Sequence, residues 1–366
     1  MVPLPDRTPP INWISSLYHV EAFTCAKNPA SPESNEDRIV AIPGRLYAVI
    51  DGATDIGGLR YDDRSGRQAA GGRLAAEAVA EALAIDDAGS FTHLPDPQRL
   101  VADLSAAIGA VYARLDLPTD EILSGHQRFR AAFSAALIAG ETLMLVALGD
   151  CTIRLNGQAV LTLAFPGDAV LSRARAVGWS ILEERGMPAD AIRPLARQSI
   201  VQGPASQQPL PAGFRPDDVE AICAAVHADP EVQTACGDRA MIDSLLRAGL
   251  RGVRVDPERF DAVTLNGVGN PADKVRTLQI PLADVDALEI ASDGYPVLPE
   301  QMEIATWERA LAEVDATDPD RIGSYAGTTG RTATTFGDDR SILIASRKFS
   351  SCPQPRRARK PLSCKA

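Results

Sequence analysis

Five acidic motifs stand where short apolar runs begin or end: NEDR at 35–38, VIDG at 49–52, LGDC at 148–151, ASDG at 291–294 and GDDRS at 337–341. Their acids are Asp37 with Glu36, Asp51, Asp150, Asp293, and the pair Asp338 and Asp339. A strand end is a rigid place from which to present a side chain to a site. Carboxylates gathered there repel one another unless a cation offsets them, and hard divalent ions such as Mg²⁺ and Mn²⁺ prefer such oxygen donors. Asp-Gly is also a frequent turn dipeptide, so one such pair by itself signals a turn. Asp150 in particular is explained by a Gly-Asp hairpin turn. The set and its order are what signal a site.

The elements that must position these acids can be read from periodicity. Leu46 to Ile50 is a strand meeting a turn at Asp51-Gly52. Gln68 to Leu83 is alanine-rich with helical spacing, and a second helix starts at Asp96-Pro97, an N-cap followed by proline. Phe133 to Ala139, Thr142 to Leu148 and Thr152 to Leu155 read as three consecutive strands, an antiparallel meander turning at Gly140-Glu141 and Gly149-Asp150. Ala287 to Ala291 and Ser341 to Ala345 are strands, with a helix marked by Ile304, Trp307, Leu311 and Val314 between them. Helices before strands, without βαβ alternation, point to an α+β layered domain. In the less regular stretch 158–284, Val219 to Val226 and Ile242 to Gly249 suit helices.

NEDR, AVIDGATD at 48–55, LVALGDC at 145–151, LEIASDGY at 288–295 and FGDDRSILIA at 336–345 resemble, in order, the motifs of PP2C (PPM) phosphatases of bacterial type. The resemblance runs from about residue 20 to 346. It implies a β-sandwich of two antiparallel sheets flanked by helices, within an α+β fold. It also implies hydrolysis of phosphoserine or phosphothreonine on proteins by a hydroxide held between two divalent ions, Mn²⁺ or Mg²⁺. Carried over, Asp51 bridges both ions, Gly52 offers its carbonyl, and Asp293 and Asp338 hold one ion. Asp37 reaches the other through water, with Glu36 and Asp339 as further participants. Asp51 and Asp37 are then the catalytic acids. Many members carry a phosphate-gripping arginine just before the first acidic motif, but Lys27 to Ser34 contains none. Lys27, Arg38, Arg60 and Arg64 are the candidate replacements.

The implied organisation is an extended lead-in over 1–18, a phosphatase domain over 19–346 with an elaborated flap or insert at 158–284, and a basic tail over 347–366. Of 366 residues, 45% are hydrophobic and 23% charged, as in an ordinary globular chain. A net charge of -11 argues against a nucleic-acid partner. No apolar run is long enough to span a bilayer, and the start, MVPLPDRTPPINW, lacks the pattern of a signal peptide. The six cysteines are scattered without a C-x-x-C pair, which suits a reduced, cytoplasmic protein and offers no C-x5-R phosphate loop. The four histidines lack metal spacing. Asp284-Val285-Asp286 is followed by Leu288 where a HAD-type nucleophile motif needs Thr or Val. The expected partner is a phosphorylated protein in signalling, with neither membrane nor nucleic acid. The alternatives are a non-catalytic binding module of the same fold and a phosphatase of a small phosphorylated metabolite.

Overall fold

The computed structural model describes residues 11–14, 17–54, 58–85, 93–125, 127–161, 165–206, 210 and 213–347. The strands are β1 (Ile11–Ile14), β2 (Tyr18–Cys25), β3 (Arg38–Ile42), β4 (Leu46–Gly52), β5 (Tyr61–Asp62), β6 (Gln68–Ala69), β7 (Ala131–Ala139), β8 (Thr142–Leu148), β9 (Thr152–Leu155), β10 (Gln158–Leu161), β11 (Arg276–Pro281), β12 (Ala287–Ala291) and β13 (Arg340–Arg347). The helices are α1 (Gly71–Ile85), α2 (Pro97–Arg114), α3 (Thr119–Leu123), α4 (Pro166–Glu184), α5 (Ala189–Gln202), α6 (Pro216–Ala228), α7 (Pro230–Ala235), α8 (Arg239–Val255) and α9 (Ile304–Thr317).

Two antiparallel sheets, ordered β1-β2-β13-β12-β9-β10 and β11-β8-β7-β4-β3, carry the fold. Strand β4 shows how they stack. Its side chains alternate faces with period two. Leu46, Ala48 and Ile50 pack into one core with α1 and α2, while Tyr47 and Val49 pack into a second core with Val20 of β2, Ile290 of β12 and Leu343 of β13. Both faces of the strand are therefore buried, which explains its unbroken apolar run. On the far face of the other sheet, α9 lays Ile304, Trp307 and Leu311 on Phe23, Ile342 and Ile344. The layers run helices, sheet, sheet, helix. This is the expected α+β sandwich of antiparallel sheets flanked by helices.

One expected connection is different. Strands β7 and β8 form a hairpin, pairing Ala139 with Thr142, but β9 lies in the other sheet beside β12, with Thr152 opposite Ala291. The three strands are not a meander, and Gly149-Asp150 is a crossover between sheets rather than a hairpin turn. Gly149 takes a φ of +94° there, and a Cβ on it would run into Ala132. Local periodicity cannot see this, because a tight turn and a sheet-to-sheet step use the same residue types.

The stretch 158–284 is largely helical. Helices α4 to α8 bury their own core of Val170, Leu171, Ile200, Ile222, Leu245 and Leu246, extended by Trp179, Leu182 and Ile192. Helices α4 and α5, and strand β11 pairing β8, were not apparent in the sequence pattern. Within the expected lead-in, Ile11–Ile14 pairs β2 as an edge strand; residues 1–10, 15 and 16 lie outside the described residues. Of the expected tail, all but Arg347 lies outside them, as do His126, Cys352 and Cys364. No helix among the described residues is long and apolar enough to cross a membrane.

Candidate metal and phosphate site

Strand register gathers the acids at one edge of the sandwich. Arg38 pairs with Ile50, which sets Asp37 across from Asp51. Ala291 pairs with both Thr152 and Ile342, which brings the Asp150 crossover, Asp293 and the Asp338-Asp339 turn to the same end of the other sheet. Polar bridges join the two sheets there. Ser292 Oγ donates to Asp37 Oδ2 at 2.7 Å and accepts from the Ser341 backbone N–H at 2.8 Å. Ser134 Oγ donates to the Cys151 carbonyl at 3.0 Å, tying β7 to the crossover. Gly52 is packed so closely that a Cβ would collide with the carbonyls of Gly72 and Glu36.

The electrostatics show how crowded this edge is. Burial, then the charges of Asp339 and Asp338, push Asp37 up to about 7 against the hydrogen bonds from Ser292 and Ser341. Burial, then Asp293, Asp37, Asp150 and Asp338, hold Asp51 well above the usual carboxylate range. Asp293 is raised by desolvation first and then by Asp150 and Asp338. Its residue surface is open to water, so for Asp293 the neighbouring charges are the cause that counts. Asp51 and Asp293 are direct electrostatic neighbours, each altering the proton affinity of the other.

Asp150 therefore belongs with this cluster, acting on Asp51 and Asp293 and itself raised by burial and by Asp338. The expectation that it only shapes a hairpin does not hold. Asp168, in the first turn of α4, is a further acid within reach of Asp150. Sequence reasoning missed it because α4 was not read. Asp339 is placed differently from the others. Its two oxygens accept the backbone N–H groups of Lys27 at 2.6 Å and Glu36 at 3.1 Å, so it clamps the β2–β3 connection to the last strand.

Lys27 lies among the acids rather than out in the solvent. Its Nζ is 3.0 Å from Glu36 Oε2, 3.5 Å from Asp338 Oδ1 and 3.4 Å from Asp339 Oδ2, and it donates to Thr54 Oγ1 at 2.6 Å. Thr54 in turn donates to Glu36 Oε2 at 2.9 Å, while Glu36 Oε1 is buried without a hydrogen-bond partner. Among the described residues, no three His, Cys, Asp or Glu side chains are drawn together as a finished metal shell. The donors are gathered by the fold but not closed around a point.

Beside the acids lies a cavity of about 900 Å³. Lys27, Glu36 and Thr54 are part of its wall, whereas Asp37, Asp51, Asp293 and Asp338 are not. Residues of helix α5 and of the loop 328–337 line it too. Of the four cysteines within the described residues, Cys151 is buried and the others half-buried, and burial raises every thiol. None is poised as a thiolate nucleophile.

Solved structures of bacterial PP2C-type serine/threonine phosphatases match over most of the chain at low identity. The Mycobacterium tuberculosis phosphatase PstP/Ppp is 17% identical over 91% of this chain and 100% of its own, with a TM-score of 0.43. The PstP catalytic domain in complex with two manganese ions is 16% identical over 90% of this chain and 98% of its own, with a TM-score of 0.43. A Staphylococcus aureus serine/threonine phosphatase is 10% identical over 94% of this chain and 100% of its own, with a TM-score of 0.42. No family model matches the sequence, and no curated protein matches it. At such identities and scores, the chemistry must come from this chain's own residues.

Proposed function

We propose that the protein is a metal-dependent phosphate-monoester hydrolase of the PP2C type, acting on phosphoserine or phosphothreonine in proteins. The observation that carries this reading is the meeting of Asp37, Asp51, Asp150, Asp293 and Asp338, from two sheets, at one edge beside a large cavity. Carboxylates that raise one another's proton affinity form a poor structural cluster and a good cation site. The donor chemistry fits a hard divalent ion. All candidates are oxygens, Glu36 Oε1 is buried without a partner, and burial and the acids around them raise both Asp51 and Asp293, a crowding that a cation would offset. Mn²⁺ or Mg²⁺ held by Asp37, Asp51, the Gly52 carbonyl, Asp293 and Asp338 would supply charge to the phosphoryl oxygens and acidify water.

The rest of the chain's work is positional. Ser292 fixes the Asp37 carboxylate, Asp339 pins the β2–β3 connection, and Thr54 orients Glu36. Lys27 offsets the Glu36, Asp338 and Asp339 end of the cluster, leaving the Asp37, Asp51 and Asp293 end in greater need of added positive charge. The cavity exceeds what a phosphoryl group needs and has room for the segment that bears it, which favours a peptide over a small metabolite. One observation favours a non-catalytic module instead: Lys27 already supplies a cation, and the described acids do not form a closed shell.

Turnover separates these readings. Purified protein should hydrolyse a phosphopeptide library when Mn²⁺ or Mg²⁺ is added and stop when chelator is present. It should also prefer phosphopeptides to a panel of phosphorylated metabolites. Added metal should raise the melting temperature, since an ion bound only by the folded state stabilises it. Full activity after exhaustive metal removal defeats the metal-dependent reading. A metal-induced thermal shift with no turnover on any substrate favours the binding module.

A further inference from the structure

A phosphate dianion entering a site rimmed by carboxylates needs a cationic group of the protein's own to receive it, and the segment before NEDR provides no arginine. The structure removes most candidate replacements. Lys27 is engaged by Glu36, Thr54, Asp338 and Asp339. Arg38 pairs with Glu77 at 2.5 Å and donates to the Asn35 and Asp37 carbonyls, while Arg64 pairs with Glu81 at 2.8 Å. Three arginines in the cavity wall are also committed, among them Arg73, which pairs with Glu77 at 2.9 Å and Asp63 at 3.8 Å. Arg175 donates to the carbonyls of Asp320, Arg321 and Gly327, and Arg193 is held by Asp320 and Asp190.

Arg197 differs from all of these. It lies one helical turn beyond Arg193 on α5, on the same face of that helix, and lines the cavity. Its Nη1 donates to the Thr328 carbonyl at 3.1 Å, which anchors the guanidinium against the 328–337 loop. Among the described residues its one hydrogen bond is that to Thr328, it is in no ion pair with a carboxylate, and its remaining N–H groups are not sealed from solvent. Desolvation lowers its proton affinity, opposed by the charges of Asp338 and Asp168. It lines the same cavity as Lys27 and Glu36 of the acidic edge. A planar fork with free donors, fixed on one side and facing a cavity, is suited to two oxygens of a phosphoryl group.

Building on the hydrolytic reading above, we propose that Arg197, delivered by the helical insert, receives the anionic oxygens of the substrate phosphoryl group. The insert then supplies a substrate-binding residue that the sandwich lacks. Arg60, which also lines the cavity and is exposed, is the nearest competitor.

The test uses the full chain with Mn²⁺, p-nitrophenyl phosphate as substrate and inorganic phosphate as ligand, on wild type, R197A, R197K and R60A. Loss of a charge-assisted contact predicts a rise in KM and in the phosphate inhibition constant of about 10–100-fold for R197A. Smaller change in kcat, partial recovery in R197K and near-wild-type values for R60A are expected. Calorimetric manganese binding and thermal denaturation should be unchanged, showing that the acidic edge and the fold persist. Unaltered KM and phosphate inhibition in R197A overturn the inference, while turnover in wild type keeps the hydrolytic reading standing. Arg197-dependent phosphate binding, measured by calorimetry, in a wild type that hydrolyses nothing keeps the inference and removes that reading. A wild type that neither binds phosphate nor turns over removes both.

Discussion

The sandwich and the helical insert build their parts of the site in opposite ways. In the sandwich, side chains are placed by strand register: pairing Arg38 with Ile50 and Ala291 with Ile342 sets the acids at one edge before any of them makes a specific contact. In the insert, arginines are placed by hydrogen bonds to carbonyls of the facing 320–328 segment, as Arg175 and Arg197 show. A register cannot drift without turning every side chain to the other face. On the proposed reading, reaction chemistry falls on the edge set by strand register and phosphate binding on the wall set by these arginine contacts.

Removing the central acid should break the sandwich side hardest. Asp51→Asn keeps the shape and removes the carboxylate on which Asp293, Asp37 and Asp150 all act. Turnover should fall about a hundredfold or more, since changes one shell further out from a metal already cost about 10–100-fold. Calorimetry should show weakened metal binding, and the metal-free protein should melt no lower than wild type, because repulsion is relieved. Near-normal turnover with unchanged metal stoichiometry would remove Asp51 from the centre of the mechanism.

Cavity-forming substitutions test whether the two regions are separable. Leu245 is fully buried in the insert core, and Phe133 is fully buried between β4, β8 and the α1–α2 layer. Leu245→Ala should cost about 2–5 kcal/mol, and Phe133→Ala about 3–5 kcal/mol. Hydrogen exchange should distinguish them. In Leu245→Ala, protection should drop in α4 to α8 while the sheets keep theirs; in Phe133→Ala, it should drop throughout. Uniform loss in both variants would mean that insert and sandwich form one cooperative unit.

The same contrast explains what the sequence could show. Strands β4, β7, β8, β12 and β13 were legible because burial on both faces makes short apolar runs, and their end acids fell in a recognisable order. Helix α2 was legible from Asp96 and Pro97, and Asp96 does accept from the Arg99 N–H. The insert was legible only at α6 and α8. In α5, Pro194 and several polar residues interrupt the apolar stripe, so Arg197 carried no local signal. Lys27 was noted as a cation near the first motif, but only the long-range pairing of β2 with β13 shows it beside Asp338 and Asp339. The Asp150 crossover was hidden because turn chemistry says nothing about which sheet the next strand joins.

Asp150 gives the smallest and sharpest of these tests, since sequence and structure disagree about it. As the tip of a hairpin it would be solvated, and Asp150→Asn would leave turnover nearly unchanged. As part of a sheet-to-sheet crossover, it brings a carboxylate close enough to act on Asp51 and Asp293 and feels the charge of Asp338. It is absent from the inferred set of metal-holding residues, so its substitution should act through its neighbours. Turnover should fall about tenfold, the lower end of the range for groups that tune a metal's ligands. The manganese affinity should weaken by a similar factor, while KM for p-nitrophenyl phosphate should move little, because the phosphate-receiving side is untouched. The fold should be insensitive, since asparagine preserves the crossover's shape and Gly149 supplies its backbone conformation. Activity and metal affinity both at wild-type level would return Asp150 to a structural turn. A loss as deep as that of Asp51→Asn would instead place it among the metal-holding acids.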